Sequence, residues 1–209
     1  MALFVLEDVD FKGIIRYPHI KIEPCCTTFI CGESGSGKST LLKLLNGVIS
    51  PTDGSIAYLG QDIDKLDPIA LRRDVLFVGQ AVYLFDKSIK DNFLAYYAYR
   101  DLDPISEAEI KHYLDICSLN LPIDSSCDVL SGGERQRVFI AINLSFCPKV
   151  LMMDEPTSAL DDKNANALME NIKSHCKESD MTLIVVSHDR AIAEKYADQI
   201  ILLEGGPGK

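Results

Sequence analysis

Three short apolar runs along the chain have the length and composition of buried strands. The runs are TTFIC at residues 27–31, VLMM at 150–153 and TLIVVS at 182–187. Compact apolar segments of this kind are typical of parallel strands that are covered on both faces. The pattern therefore predicts a mostly parallel central sheet.

Residues that could bind a ligand or take part in catalysis follow each apolar run directly. They are Gly32 after the first run, Asp154 and Glu155 after the second, and His188 after the third. In open α/β sheets the ligand crevice lies beyond the carboxyl ends of the strands. We therefore expect these residues to meet at one edge of the sheet.

Helical patterns lie between the predicted strands. STLLKLLNGVI at 39–49 follows the first strand, and apolar positions recur with a helical period from 162 to 178. SEAE at 106–109 has the capping-box spacing of a helix start. Together with KDNFLAYYAYR at 90–100, it predicts a helical insert over residues 87–130 without strands.

The N-terminal 25 residues and SIAYLG at 55–60 have the pattern of a small antiparallel lobe. The predicted fold class is α/β, with a mostly parallel sheet, a small antiparallel β lobe and an inserted α-helical subdomain. We expect a single domain, in which residues 1–86 and 131–209 form the core and the lobe. Residues 87–130 are expected to form the helical subdomain.

Charge and hydropathy restrict the kinds of partner. The net charge is −10, from 21 basic and 31 acidic residues. This balance argues against a nucleic-acid-binding face and against direct docking on anionic lipid, because both need clustered Lys and Arg. No run reaches the ~18 apolar residues of a membrane span, and LEDVD near the start is unlike a signal peptide. We expect no nucleic-acid partner and a cytoplasmic location.

The chain has seven cysteines, which is an odd number, and no CxxC pair. Reduced thiols fit this pattern better than a disulfide framework does. A metal site on Cys25, Cys26 and Cys31 lacks a convincing fourth ligand, His19 being the nearest histidine.

The segment GESGSGKST at 32–40 fits the phosphate-loop pattern G-x-x-x-x-G-K-[ST] between a strand and a helix. Its glycines let backbone amides wrap phosphates, Lys38 reaches the β and γ oxygens, and Ser39 offers a hydroxyl to Mg²⁺. The predicted core is therefore that of a P-loop NTPase. The predicted nucleotide contacts are Gly32, Glu33, Ser34, Gly35, Ser36, Gly37, Lys38, Ser39 and Thr40.

Four further residues suit phosphate chemistry. Asp154 and Glu155 are adjacent at a strand end, and alternation along the strand directs them to opposite sides. Asp154 suits the metal, usually through water, and Glu155 suits a general base for the attacking water. His188 is expected to donate to a γ-phosphate, and Gln80, in FVGQ, to contact Mg²⁺ and the water.

A second phosphate-binding pattern occurs at LSGGERQR, residues 130–137. Its glycines open a helix, so free amides and the positive helix end suit a phosphate. Over essentially the whole chain, the order of these motifs resembles the ATP-binding cassette (ABC) ATPases. The order is the phosphate loop, Gln80, LSGGERQR, VLMMDEP, SALD at 158–161 and His188. No NKxD guanine-reading motif is present, which fits ATP rather than GTP.

The resemblance implies an ABC ATPase fold and a head-to-tail homodimer. In that family the LSGG turn of each cassette contacts the ATP bound by its partner, and ATP hydrolysis allows the two cassettes to separate. The residues implied to reach the partner's ATP are Ser131, Gly132, Gly133, Glu134 and Asp161.

Two positions depart from the family pattern. The family usually offers an aromatic ring that stacks on adenine, but the matching position in VDFKG holds Gly13. Phe11 is the nearest substitute, and Tyr17 is the second. Cys25 stands where a glycine often precedes the phosphate-loop strand.

The resemblance favours a transport role, with an integral membrane subunit on a separate chain and this chain peripheral on the inner face of the membrane. AVYLFDKSIKDN at 81–92 would line the groove for that subunit, although the apolar residues 82–85 also suit the core of the insert. The short length and NLSFCPKVLMMDEPTSALD at 143–161 resemble the ATP-binding subunits of bacterial iron-export systems. The alternative is a soluble ABC ATPase, such as an iron–sulfur assembly component.

Overall fold

The computed structural model describes residues 1–204. Its strands are β1 Phe4–Phe11, β2 Ile15–Tyr17, β3 Ile20–Ile22, β4 Thr27–Gly32, β5 Asp53–Tyr58, β6 Gln61–Asp62, β7 Val75–Val78, β8 Val150–Asp154, β9 Thr182–Val186 and β10 Gln199–Leu203. Its α-helices are α1 Lys38–Leu45, α2 Pro68–Asp74, α3 Ile89–Tyr99, α4 Glu107–Ile116, α5 Gly132–Leu144, α6 Asp162–Glu178 and α7 Arg190–Tyr196. Short 3₁₀ helices occur at Ile63–Lys65 and Cys127–Val129.

The strands form two sheets of different kinds, in agreement with the predicted fold class. One sheet is antiparallel, with the order β2–β1–β5–β6 and with β3 also paired to β1. In the other sheet β10, β4, β9 and β8 pair in parallel, in that order, and β7 lies beside β8. The three apolar runs are the adjacent strands β4, β9 and β8, so the strand prediction is confirmed.

The residues divide into two compact units. The first consists of Met1–Phe77, Pro148–Glu155 and the chain from Cys176 onward, and it contains the antiparallel sheet. Its core joins apolar side chains of β1, α1, β8 and β9, among them Phe4, Leu41 and Met152, all fully buried. These strands and this helix thus form a rigid frame for the loops at the strand ends.

The second unit consists of Val78–Cys147 and Pro156–His175. In it α3, α4 and α5 pack on one another. Helix α4 begins with the predicted capping box, in which Ser106 and Glu109 exchange hydrogen bonds. The predicted limits of the helical subdomain, residues 87 and 130, stay a prediction. None of the helices described over residues 1–204 has the length and apolar character needed to cross a membrane.

The helix predicted over 39–49 is shorter in the structure, and the reason is local. Gly47 adopts a φ of +65°, and its amide donates to Leu44 O at 3.1 Å. The Val48 amide donates to Lys43 O at 3.0 Å. This pair of bonds is a Schellman motif, which ends a helix at a left-handed glycine.

Asn92 connects α3 to the loop before it, in the second unit. Its side chain is fully buried and donates to Ser88 O at 2.9 Å, to Phe85 O at 3.1 Å and to Cys127 Sγ at 3.3 Å. Its Oδ1 accepts from the Phe85 amide at 2.8 Å. The side chain therefore fixes the path of residues 85–88.

We expect Asn92→Ala to lower the free energy of unfolding by about 2–3 kcal/mol, because it removes the acceptor of the Phe85 amide and leaves a cavity at a fully buried position. Urea denaturation followed by circular dichroism measures this. The matched control is Asn120→Ala, at an exposed position, with an expected change within about 0.5 kcal/mol. Equal effects of the two substitutions would contradict the assigned role of Asn92.

Candidate nucleotide-binding and catalytic site

The phosphate loop of the first unit lies between β4 and α1 and ends at an uncapped helix start. Gly37 is the N-cap residue of α1, with φ 93°, and no side chain caps the helix there. The amides of the first helical turn have no acceptor within the helix. Together with the positive end of the helix dipole, they make this loop suited to an anion.

Two glycines of the loop are required by close contacts. A Cβ on Gly32 would lie 2.4 Å from Leu203 O, and a Cβ on Gly37 would lie 2.6 Å from Tyr17 Oη. Both distances are shorter than any real carbon contact, and the positive φ of Gly37 adds a second reason for glycine. The loop therefore keeps its shape only with glycine at both positions.

Lys38 lies inside this loop, with the residue 9% exposed. Its Nζ donates to Gly32 O and to Glu33 O, each at 2.8 Å. Both acceptors are neutral carbonyl groups, so these contacts position the ammonium group without neutralising its charge. The charge is thus available to phosphate oxygens at the start of α1.

Asp154 ends β8, and its residue is 5% exposed. Within residues 1–204 its Oδ1 has no hydrogen-bond partner, and the same is true of Ser36 Oγ in the buried part of the phosphate loop. A buried polar atom without a partner is costly unless a ligand or water satisfies it. Carboxylate and hydroxyl oxygens are the ligand types that Mg²⁺ prefers, so the residues present fit a hydrated Mg²⁺.

Glu155 and His188 form a hydrogen-bonded pair at the ends of β8 and β9. His188 Nδ1 lies 2.7 Å from Glu155 Oε2, and the Glu155 side chain is 13% exposed. The Glu155 backbone has φ 55°, in the left-handed region, and its amide donates to Val186 O at 2.9 Å. Backbone strain of this kind is often held at functional residues. A carboxylate fixed in this way is suited to accept a proton from water.

The LSGGERQR segment of the second unit forms the start of α5 through a capping box. Ser131 Oγ accepts from the Glu134 amide at 3.3 Å, and the Ser131 amide donates to Glu134 Oε2 at 2.9 Å. The Ser131 hydroxyl also donates to Glu134 Oε2 at 2.7 Å. These hydrogen bonds from Ser131 hold the pKa of the Glu134 carboxyl below its usual value.

The two glycines after Ser131 have different surroundings. A Cβ on Gly132 would meet nothing within 4 Å among the described residues. A Cβ on Gly133 would lie 3.3 Å from Leu160 Cδ2 and 3.5 Å from Ala159 O, in the SALD segment. The turn therefore packs on SALD through Gly133 and is open to solvent at Gly132.

A cleft of about 380 Å³ in the second unit collects several predicted residues. It is lined by Gln80, Val82, Gly132, Arg135, Gln136, Ser158 and Ala159. Asp161 lies at the start of α6, where its carboxylate accepts from the Asn164 amide at 2.9 Å and from Asn164 Nδ2 at 2.7 Å. The structure thus brings Gln80, the LSGG turn and SALD together within this unit.

Two arginines of LSGGERQR have structural contacts that the sequence did not reveal. Arg135 Nη1 donates to Cys127 O at 2.6 Å, and Arg137 Nη1 donates to Ser118 O at 2.8 Å. Each bond ties α5 to a carbonyl of the preceding segment. Neither partner could be identified from spacing alone, because both acceptors are backbone carbonyl oxygens outside α5.

The expected aromatic substitutes for adenine stacking differ in exposure. Tyr17 is 1% exposed, so neither face of its ring is free, and its suggested stacking role is wrong. Phe11 is partly buried and packs against the core, with Lys12 Nζ 5.2 Å from the ring centroid. Its role in stacking stays a prediction. Cys25 adopts φ 54°, the backbone conformation that a glycine favours.

Comparisons with known proteins identify the family of the chain. The family model described as ABC transporter matches residues 16–158. The probable iron export ATP-binding protein FetA of Escherichia coli K12 is 36% identical over 181 residues, covering 86% of this chain and 80% of FetA. The mycobactin import ATP-binding/permease protein IrtB of Mycolicibacterium smegmatis is 38% identical over 97% of this chain and 34% of its own length.

Two solved structures have the same fold over nearly the whole chain. The structure of cbiO1 from Clostridium perfringens, part of the ABC transporter complex cbiONQ, has a TM-score of 0.85 and 26% identity, covering 98% of this chain and 86% of cbiO1. A bacterial Atm1-family ABC exporter with ATP bound has a TM-score of 0.86 and 28% identity, covering 97% of this chain and 37% of the exporter. The predicted ABC ATPase fold is confirmed.

Proposed function

The chain belongs to the ABC transporter family as an ATP-hydrolysing subunit, and we propose that it pairs head to tail around two ATP molecules to drive a separate membrane subunit. One observation carries the pairing. The chain has two glycine-rich helix starts suited to phosphate, one at Gly37 and one at Gly132. An isologous dimer uses both, because each closed site takes one helix start from either chain.

The residues of the first unit supply the chemistry in this proposal. Lys38 and the first amides of α1 bind the β- and γ-phosphates, and Glu155 accepts a proton from the attacking water. With a proton on Nδ1, His188 donates to that carboxylate across 2.7 Å and orients it. When the ring carries both protons, its Nε2 also donates to the γ-phosphate. The role of Gln80 at the attacking water stays a prediction from the sequence.

Ser39 and Asp154 of the first unit would hold Mg²⁺ in this proposal, and the role of Gln80 at the ion stays a prediction from the sequence. When bound, the ion neutralises charge on the β- and γ-phosphates. The unpartnered Asp154 Oδ1 supports this role. Gln80 lines the cleft beside the LSGG turn, which suits a residue that responds to the partner's approach.

An exposed aromatic patch supports a membrane partner. We define the patch as Tyr83, Phe85, Tyr96 and Tyr99, all in the second unit. Tyr83 is 70% exposed and Tyr99 is 75% exposed, and the Phe85 ring lies 5.9 Å from Tyr96 and 6.0 Å from Tyr99. Contiguous exposed aromatic side chains mark interaction sites, and the exposure of Tyr83 disfavours a purely structural role.

We assign the chain to the cytoplasmic face of the membrane, bound through this patch to an integral membrane subunit. The similarity to FetA makes export of iron the first transport reaction to test. A soluble scaffold in place of a membrane subunit is the alternative outcome.

The pairing is tested at Ser131. Because Arg at this position would occupy the space in front of the exposed Gly132 turn, we expect Ser131→Arg to lower ATP turnover at least about tenfold. Binding of ATP to the single chain should stay within about twofold, since the phosphate loop is unchanged. Calorimetric titration and phosphate release measure the two quantities.

Ser106→Arg is the matched control, because Ser106 caps α4 through the same type of capping box. It should cost similar helix stability while leaving ATP turnover close to that of the unmodified chain. Equal loss of turnover in both variants would mean that Ser131 matters for folding rather than for pairing.

The transport partner is tested by affinity co-purification from detergent-solubilised cells, followed by mass spectrometry. We expect the unmodified chain to recover a multi-span membrane protein in stoichiometric amount. The double variant Tyr83→Ser/Tyr99→Ser should recover at least about tenfold less of this membrane protein, because aromatic side chains dominate such contacts. Ile69→Ser, at an exposed apolar residue of the first unit, is the control that should change nothing. Recovery of a soluble scaffold without a membrane protein would overturn the transport proposal and leave the ATPase assignment intact.

A further inference from the structure

We propose that Tyr17 is a positioning residue for ATP binding, whose buried hydroxyl holds the Gly37 peptide group so that the first amides of α1 face the phosphates. The inference rests on the ATP-binding function assigned above. It replaces the stacking role that the sequence suggested for this tyrosine.

The contact between Tyr17 and the phosphate loop is direct. Tyr17 is the last residue of β2, and its hydroxyl donates to Gly37 O at 2.7 Å. The same carbonyl accepts the Leu41 amide at 2.8 Å, the hydrogen bond that starts α1. A carbonyl oxygen has two lone pairs, and here both are used.

The hydrogen bond acts on the nucleotide side through the peptide group itself. Gly37 C=O and the Lys38 amide belong to one peptide unit, so a donor on the carbonyl polarises the N–H group at its other end. The Lys38 amide is in the first turn of α1, where no acceptor within the helix is available. Tyr17 therefore strengthens one of the donors that an anion would meet.

Side-chain packing holds the same peptide in place. Gly37 has φ 93°, and a Cβ there would lie 2.6 Å from Tyr17 Oη and 2.9 Å from Ile15 Cγ2. Both side chains come from β2 and cover the back of the loop. Glycine has the greatest backbone freedom of any residue, so the restraint matters most at this position.

The hydroxyl remains a donor over the physiological range. Burial raises the pKa of Tyr17 far above its usual value, and a hydrogen bond with the Thr40 side chain only partly opposes this. Thr40 is itself in the first turn of α1. The tyrosine thus contacts both the N-cap residue and the first turn of the helix.

Tyr17→Phe tests the inference, because it removes the hydroxyl and keeps the ring. We expect the dissociation constants for ATP, GTP and ADP to rise by a common factor of roughly three to ten, the effect of one lost hydrogen bond. The turnover number at saturating ATP should be unchanged, since the catalytic groups are untouched. Titration calorimetry and steady-state kinetics supply both readouts.

Tyr58→Phe is the matched control. Tyr58 is 4% exposed in β5 of the same unit, and its hydroxyl has no hydrogen-bond partner within the described residues. Its removal should leave nucleotide affinity unchanged. A common loss of affinity in both variants would overturn the inference, because it would indicate general loosening of the antiparallel lobe.

The inference is also overturned if Tyr17→Phe binds nucleotides like the unmodified chain, or if it lowers turnover without changing affinity. In both cases the ATPase assignment would stand. Failure of the unmodified chain to bind ATP would overturn the inference and the proposed function together.

Discussion

The first amides of a helix need acceptors, and a helix that begins at a glycine leaves them available to an anion. The proposed phosphate site of this protein depends on that constraint. Helix α1 starts after Gly37 with no side-chain cap. Lys38 lies against two carbonyl groups of the same loop, which position its charge without cancelling it. The strands β2, β4 and β8, packed in the core of the first unit, then hold the phosphate loop in place.

Helix α5 satisfies its first backbone amides differently, and this difference suits a switch between a bound and a released state. Its first turn is closed by the exchange of hydrogen bonds between Ser131 and Glu134. A phosphate that binds there has to share the Ser131 hydroxyl with the Glu134 carboxylate. In the proposed dimer, phosphate binding at α5 should therefore be weak until the second chain presents the phosphate in a fixed geometry, and easily lost once the γ-phosphate leaves.

Much of this arrangement follows from patterns that are local in sequence. The strands β4, β8 and β9 are compact apolar runs, and the capping boxes at Ser106 and Ser131 have their Glu three residues later. These features are set by hydrophobic burial and by short-range hydrogen bonds. The paired carboxylate and histidine at the strand ends follow from the rule on parallel sheets.

The remaining features depend either on a local backbone conformation or on contacts with residues further along the chain. The early end of α1 comes from the left-handed Gly47, which a purely apolar pattern does not register. The role of Tyr17 depends on its contact with Gly37, twenty residues further along the chain. Arg135 and Arg137 donate to backbone carbonyls that spacing cannot identify.

The most direct test of the ATP-bridged pair is the solution mass of the Glu155→Gln chain by light scattering, with and without ATP. This change removes the proposed general base while keeping a side chain of the same shape, so bound ATP should persist. With saturating ATP and Mg²⁺ the mass should be about twice the 23.1 kDa of one chain. A mass that stays at 23.1 kDa with ATP bound, at high protein concentration, would contradict the head-to-tail pair.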